Sequence, residues 1–190
     1  FWEVKSEQGV YGGNAAEAKA DRIAYSTKHT IHERMEEDPA FYKRFSALIQ
    51  ETIDDFRAQR ISELEYLDKA TSIREAVETK RHEDAPERLA GRDNALAFYG
   101  VVLQSLATDG KSSDAARNCS IDSALAFDDI LKRHWKVHFW DDPDAEKRVR
   151  NDMDDFLFDV VRGSYGIELT PDAMDSVMDE VLRVARHRMR

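Results

Sequence analysis

Residues 140–163 have the sequence WDDPDAEKRVRNDMDDFLFDVVRG. Asp142 can cap a helix with its carboxylate, and Pro143 then stands at the first helical position, where its missing N–H costs nothing. Gly163 provides a helix stop. Between these signals, apolar residues recur at helical spacing: Val149, Met153, Phe156, Leu157, Val160 and Val161. The stretch therefore predicts one amphipathic helix.

Similar start signals recur in the rest of the chain. They pair a capping residue with a following proline or with an acid three positions later: Asn14 with Glu17, Asp38-Pro39, Ser62 with Glu65, and Thr170-Pro171. The short link between the second and third of these helices predicts a helical hairpin. A segment that is apolar nearly all round, 94–106, predicts a central helix, and 115–138 should be mainly helical with Trp135 in the core. We expect an all-α fold of six to seven helices without a sheet.

The glycine-rich opening and the first residue, Phe1 rather than methionine, bear on domain organisation. Residues 1–13 are typical of an arm or linker from a preceding domain. Residues 14–190 are expected to form a helical carboxy-terminal domain. The stretch His82–Arg92 contains acidic residues, a proline and a glycine, so a division into two sub-lobes, about 14–84 and 92–190, is the alternative.

Composition limits the class of protein. Of the 190 residues, 42% are hydrophobic and 35% are charged, which is typical of a globular chain with a highly charged surface. The single Cys119 cannot form an internal disulfide, and no apolar run is long enough for a membrane span, so a cytoplasmic location is expected. The formal net charge of -10 disfavours DNA binding over the whole surface and leaves only a local basic face open.

Catalytic motifs are not evident. Gly110-Lys111-Ser112 resembles the end of a phosphate-binding loop, but Ser105 stands where the motif needs its first glycine. His134 and His138 would share one helical face, with Asp141 or Asp142 as a further metal ligand; ordinary surface histidines are the preferred interpretation. The acids between residues 141 and 159 are interpreted as a solvated or ion-paired face. We therefore predict no catalytic, cofactor-binding or metal-binding residue in this chain.

A group of cations surrounds two tryptophans near the end of the fifth predicted helix. Such a mixture of positive charge and aromatic rings is typical of nucleic-acid grooves and of protein interfaces. The candidate residues for binding DNA or a partner are Lys132, Arg133, Trp135, Lys136, Trp140, Lys147, Arg148 and Arg150. The alternative is that both tryptophans are core anchors and that the cations pair with the neighbouring acids.

The chain resembles a known family in ordered patches rather than in one short signature. The patches are Glu37–Ser46, Arg60–Leu67, Leu96–Tyr99, Trp140, Asn151–Asp159 and Tyr165–Leu169. They resemble the carboxy-terminal helical region of the motor and restriction (R) subunit of type I restriction-modification enzymes. In that family the full subunit also carries a nuclease domain and helicase-like ATPase domains, so ATP and Mg²⁺ are implied for the parent only.

The resemblance implies a function for this region. It is expected to be a non-catalytic assembly domain that docks the ATP-dependent DNA translocase/endonuclease onto the methyltransferase and specificity subunits. The preceding motor domains would be a further partner, and the source would be a bacterium or archaeon. The alternative is a DNA-contacting helical module of the same subunit that binds duplex DNA with its basic face. A metal-dependent enzyme built on His134 and His138 is the least supported possibility.

Overall fold

The computed structural model of this protein describes residues 11–82, 84–107 and 113–189. This part of the chain contains seven α-helices and no strand, which confirms the predicted all-α fold. The helices are α1 (Tyr11–Glu33), α2 (Pro39–Arg57), α3 (Glu63–Glu78), α4 (Asp93–Leu106), α5 (Asp114–His134), α6 (Pro143–Phe156) and α7 (Pro171–Arg188). None of these helices combines the length and the hydropathy that a membrane span requires.

Two predicted segments lie outside the described residues. They are residues 1–10 of the expected arm and the Gly110-Lys111-Ser112 loop. Helix α1 already begins at Tyr11, so Asn14 lies inside the helix and the cap predicted there is wrong.

The chain divides into two compact units. The first comprises residues 11–35 and 42–82, and it contains α1, most of α2, and α3. The second comprises residues 36–41, 84–107 and 113–189, and it contains the first residues of α2 and helices α4 to α7. Each unit has its own buried residues.

In the first unit, α3 packs closely along α1. It also lies beside α2, since residues of both helices line one cavity, as the predicted hairpin of α2 with α3 requires. The predicted capping box of α3 is confirmed, because Ser62 and Glu65 bond to each other's backbone N–H groups. The Tyr66 ring is buried and stacks on Phe56 of α2 with centroids 4.5 Å apart, and its hydroxyl donates to Asp21 Oδ1 of α1 at 3.0 Å. Burial and this hydrogen bond raise the pKa of Tyr66 to about 12. Tyr66 of α3 therefore contacts both α1 and α2.

In the second unit, α4 is central, as predicted, because it packs against both α5 and α7. Phe98 and Val102 are buried on it. Gly100 lies against the first turn of α2, where a Cβ would come within 2.5 Å of the Ala40 Cβ. Only a residue without a side chain fits at this approach.

Helix α6 covers α5 and also contacts α7. Its start is as predicted, because Asp142 Oδ1 accepts hydrogen bonds from the backbone N–H groups of Asp144 (2.9 Å) and Ala145 (3.1 Å). The apolar face of Val149 and Met153 is buried. The α-helix ends at Phe156, and the chain continues as π-helical turns over Leu157–Arg162. The predicted helix therefore does reach the region of Gly163, but its last turns are π-helical rather than α-helical.

Candidate functional site

The connection between α5 and α6 forms a compact corner. Helix α5 ends at His134, four residues earlier than predicted, because Trp135 is extended and His138 adopts a left-handed conformation with φ of 59°. A 3-10 turn over Phe139–Asp141 then leads directly into the cap of α6. Residues 115–138 are thus mainly helical, as predicted, but the last four of them lie outside α5.

Three rings form the centre of this connection, and we call Trp135, Phe139 and Trp140 the aromatic corner. Phe139 is buried and lies at 5.4 Å from Trp135 and 4.8 Å from Trp140, measured between ring centroids. The two tryptophans meet edge to face at 6.1 Å. Both contacts of Trp140 are edge to face, a favourable arrangement at such distances, whereas the Trp135 ring is tilted by 30° relative to Phe139. Phe139 therefore contacts both indole rings.

Trp140 is held from α7. Its indole Nε1 donates a hydrogen bond of 2.7 Å to the Met189 carbonyl oxygen, and the guanidinium of Arg186 lies 5.0 Å from the ring centroid. Arg186 in turn forms a 3.1 Å ion pair with Glu146 of α6. Trp140 is therefore a fixed, half-buried anchor that joins α6 and α7, as the core-anchor interpretation predicted for it.

Trp135 differs from Trp140 because 37% of its surface is exposed, so its predicted place in the core is wrong. Two residues later, Val137 is 83% exposed. Both residues line an open cavity of about 600 Å³ that is formed by residues 135–141. Tryptophan is one of the residue types most enriched among the residues that dominate binding at protein interfaces, and here it lies beside an exposed aliphatic side chain.

The predicted cations around this corner are mostly paired with acids. Lys132 lies 2.8 Å from Asp128, and Arg133 lies 3.3 Å from Asp152. Arg150 lies 2.7 Å from Asp179 and 3.4 Å from Glu146, and Lys136 contacts Asp142. The ammonium of Lys136, together with the cap hydrogen bonds, lowers the pKa of Asp142. Four of the six predicted cations are thus offset locally by carboxylates.

The other two cations, Lys147 and Arg148, are exposed on α6 and form no ion pair with any residue that the structure describes. Arg148 lies one helical turn before Asp152, on the edge of α6 that meets α5. Of the eight predicted residues, Trp135, Lys136 and Trp140 line the cavity, and the other five lie on α5 and α6. They do not form a continuous basic face, because acids alternate with the cations.

The buried carboxylate of Asp128 was missed by the sequence analysis. Its side chain is 1% exposed, and its Oδ2 accepts from Arg92 Nε at 2.7 Å and from Lys132 Nζ at 2.8 Å. A buried charge needs such compensation. The hydrogen bond with Asp128 is the main reason that the pKa of Arg92 is raised. Lys132 is thus held by a structural ion pair beside the corner.

The two histidines do not form a shared site. His134 Nε2 lies 2.8 Å from Asp152 Oδ2, whereas His138 lies beyond the end of α5 and contacts Asp141 at 3.4 Å in solvent. The single helical face predicted for both is wrong, because the helix stops between them. Within residues 11–82, 84–107 and 113–189, no three side chains of metal-binding type come together.

Sequence reasoning also missed Phe139, a member of the aromatic corner, and Val137, which lines the cavity beside it. Their positions beside Trp140 and Trp135 were the available signal, but their opposite exposures depend on where α5 ends. Comparison of the chain with protein-family models, with curated proteins and with solved structures gives no match.

Proposed function

We propose that this chain is a non-catalytic assembly domain that docks onto another protein through the aromatic corner. The observation that supports this most is the exposure of Trp135 and Val137 on a corner whose other rings, Phe139 and Trp140, are fixed. A rigid aromatic side chain loses little conformational entropy on binding, which makes it an efficient anchor.

The resemblance supplies the partner in this proposal. The chain would be part of the R subunit of a type I restriction-modification enzyme, and it would dock the ATP-dependent translocase and endonuclease onto the methyltransferase and specificity subunits. ATP and Mg²⁺ would act in the preceding motor and nuclease domains of that parent. The protein would then work in the cytoplasm of a bacterium or archaeon.

Charge favours a protein partner over DNA at this corner. Lys136 and Arg133 are paired with Asp142 and Asp152, so a phosphate backbone would have to displace carboxylates before it gained those contacts. A protein surface can instead bury the apolar side chains and leave these rim ion pairs intact.

The test is a binding titration of the chain against the purified methyltransferase–specificity complex of a type I enzyme. The double variant Trp135→Ala/Val137→Ala should weaken binding by about thirtyfold or more, because truncation of central anchors costs at least about 2 kcal/mol. The matched control is Tyr25→Ala, since Tyr25 is 76% exposed and lies outside the corner. Absence of binding by the unaltered chain, or equal binding by both variants, would reject the proposal.

One observation supports the alternative function, a DNA-contacting module. Lys147 and Arg148 are exposed and have no acid partner among the described residues, so both are available to phosphates. Two cations can neutralise only two phosphates, and each neutralised phosphate changes the slope of log affinity against log salt by only about 0.9. We therefore keep this function second.

A further inference from the structure

A second candidate surface lies at the far end of α6, away from the aromatic corner. The π-helical turns of Leu157–Arg162 form one wall, and the start of α7 with the segment before it forms the other. Between them is a groove of about 310 Å³, which we call the acidic groove. Leu157, Leu169 and Met174 are its apolar lining. Winding of the π type inside helices is frequent at functional sites.

Phe158 lies on the wall of the acidic groove and is 55% exposed. The guanidinium of Arg162 lies 5.4 Å from its ring centroid, so this cation is directed onto the ring. A large aromatic side chain exposed at the edge of an apolar depression can contact a side chain inserted there.

The surroundings of the groove are strongly acidic. Asp154 and Asp175 line it from opposite walls, and both are exposed. Three more exposed carboxylates stand on the same two elements: Asp155, Asp159 and Asp172. None of these five acids forms an ion pair with a residue in the described ranges, in contrast to the paired acids at the aromatic corner. Their charge is therefore available to a partner.

We infer that the acidic groove binds a protein segment in which an apolar side chain is flanked by lysines or arginines. The apolar side chain would lie against Leu157 and Phe158, and the flanking cations would face Asp154 and Asp175. Charge complementarity of this kind selects the partner and speeds its association. The inference concerns a separate surface and does not depend on docking at the aromatic corner.

Charge also disfavours the other occupants. Nucleic acid and anionic lipid surfaces would be repelled by the unpaired carboxylates. A second copy of this chain would bring together two molecules that each carry a net charge of -10. The same negative field attracts a basic segment of a different protein, whereas it repels nucleic acid, anionic lipid and a second copy of this chain.

The experiment is a selection from a random library of short peptides on the full chain, with counter-selection against the Phe158→Ala variant. We expect the recovered peptides to carry an aromatic or aliphatic residue between lysines or arginines. The affinity of the best peptide is then measured at two salt concentrations. It should fall by about tenfold in Asp154→Lys/Asp175→Lys, because opposite charges at the contact become like charges.

The control variant is Glu36→Lys/Glu75→Lys, which makes the same change in net charge at exposed acids outside the groove. It should retain binding to within about twofold, as expected for exposed charges that do not line the groove and act only through the screened overall field. Failure to recover a peptide, recovery of peptides without net positive charge, or equal loss in both double variants would overturn the inference. Normal docking at the aromatic corner with no peptide at the groove would reject this inference alone.

Discussion

At the scale of single residues, Gly163 is fixed by the geometry of the π-helical turns before it. Its own conformation is ordinary for a helix, with φ of -71°, so no positive torsion angle demands glycine here. Glycine is required for a steric reason, because a Cβ at this position would lie 2.3 Å from the Asp159 carbonyl oxygen. Backbone cannot move aside as the end of a flexible side chain can.

We therefore expect Gly163→Ala to destabilise the protein by about 1–3 kcal/mol, as overpacking does. The measurement is the free energy of unfolding in urea. The comparison variant is Gly91→Ala, where φ is +73° and no atom lies within 4 Å of the new Cβ, so only backbone strain of about 1 kcal/mol is added. A Gly163→Ala protein as stable as the wild type would contradict the clash.

Asp128 illustrates a different constraint on single residues. A carboxylate that is 1% exposed keeps its place because Arg92 and Lys132 both reach the same oxygen. Its other oxygen, Oδ1, is buried and has no hydrogen-bond partner among the described residues. The ion pairs orient Lys132 and Arg92, so neither cation is a freely available contact for a polyanion.

At the scale of elements, the cap of α6 couples helix stability to pH. The hydrogen bond from Lys136 and the backbone N–H groups of the first turn lower the pKa of Asp142 below its ordinary value of 3.8. A group whose folded-state pKa is lowered contributes stability above its unfolded pKa and loses it as the pH falls through the folded value. The cap should therefore weaken in acid.

The test is the melting temperature from pH 6 down to strongly acidic conditions, in the wild type and in Asp142→Asn. Asparagine also caps helices, but it does not titrate. We expect the wild type to be the more stable protein above pH 3.8 and the difference to shrink as the pH is lowered further. Asp68→Asn, which removes an exposed carboxylate in the middle of α3, should show a smaller change. A constant difference between wild type and Asp142→Asn would contradict the coupling.

The starts of α3, α6 and α7 could be read from the sequence because caps are local. Ser62, Asp142 and Thr170 each accept from N–H groups no more than three residues away, so neighbouring letters are sufficient. The end of α5 could not be read this way. It depends on burying Phe139 and on anchoring Trp140 to the end of α7, whose Met189 carbonyl is 49 residues away in sequence.

The sequence indicated where the candidate site lies, but not which of its cations are paired with acids or which of its tryptophans is exposed. The grouping of Trp135, Lys136 and Trp140 follows from adjacency in the chain. The partners of Arg133 and Arg150 lie on other helices or other turns, so their neutralisation appears only when α5, α6 and α7 are packed together. Exposure of Trp135 also follows from the early end of α5 rather than from its residue type.

At the scale of the whole molecule, the net charge of -10 favours the docking proposal over the DNA-binding alternative. An acidic surface slows approach to DNA and favours approach to basic protein surfaces. Lys147 and Arg148 are the cations of the candidate site best placed to oppose this field, because the other four are paired. The DNA-binding alternative therefore depends on Lys147 and Arg148, and these are the residues to substitute in its test.

The test compares duplex DNA binding at two salt concentrations for the wild type, for Lys147→Glu/Arg148→Glu and for Lys19→Glu/Lys43→Glu. The last variant makes the same change in net charge at exposed lysines outside the site. We expect weak binding that is equally reduced in both variants, because only the overall field changes. Two true phosphate contacts would instead lower the slope of log affinity against log salt by about 2 in the first variant alone. That result would make Lys147 and Arg148 the primary contacts and would replace docking with DNA binding as the function of this surface.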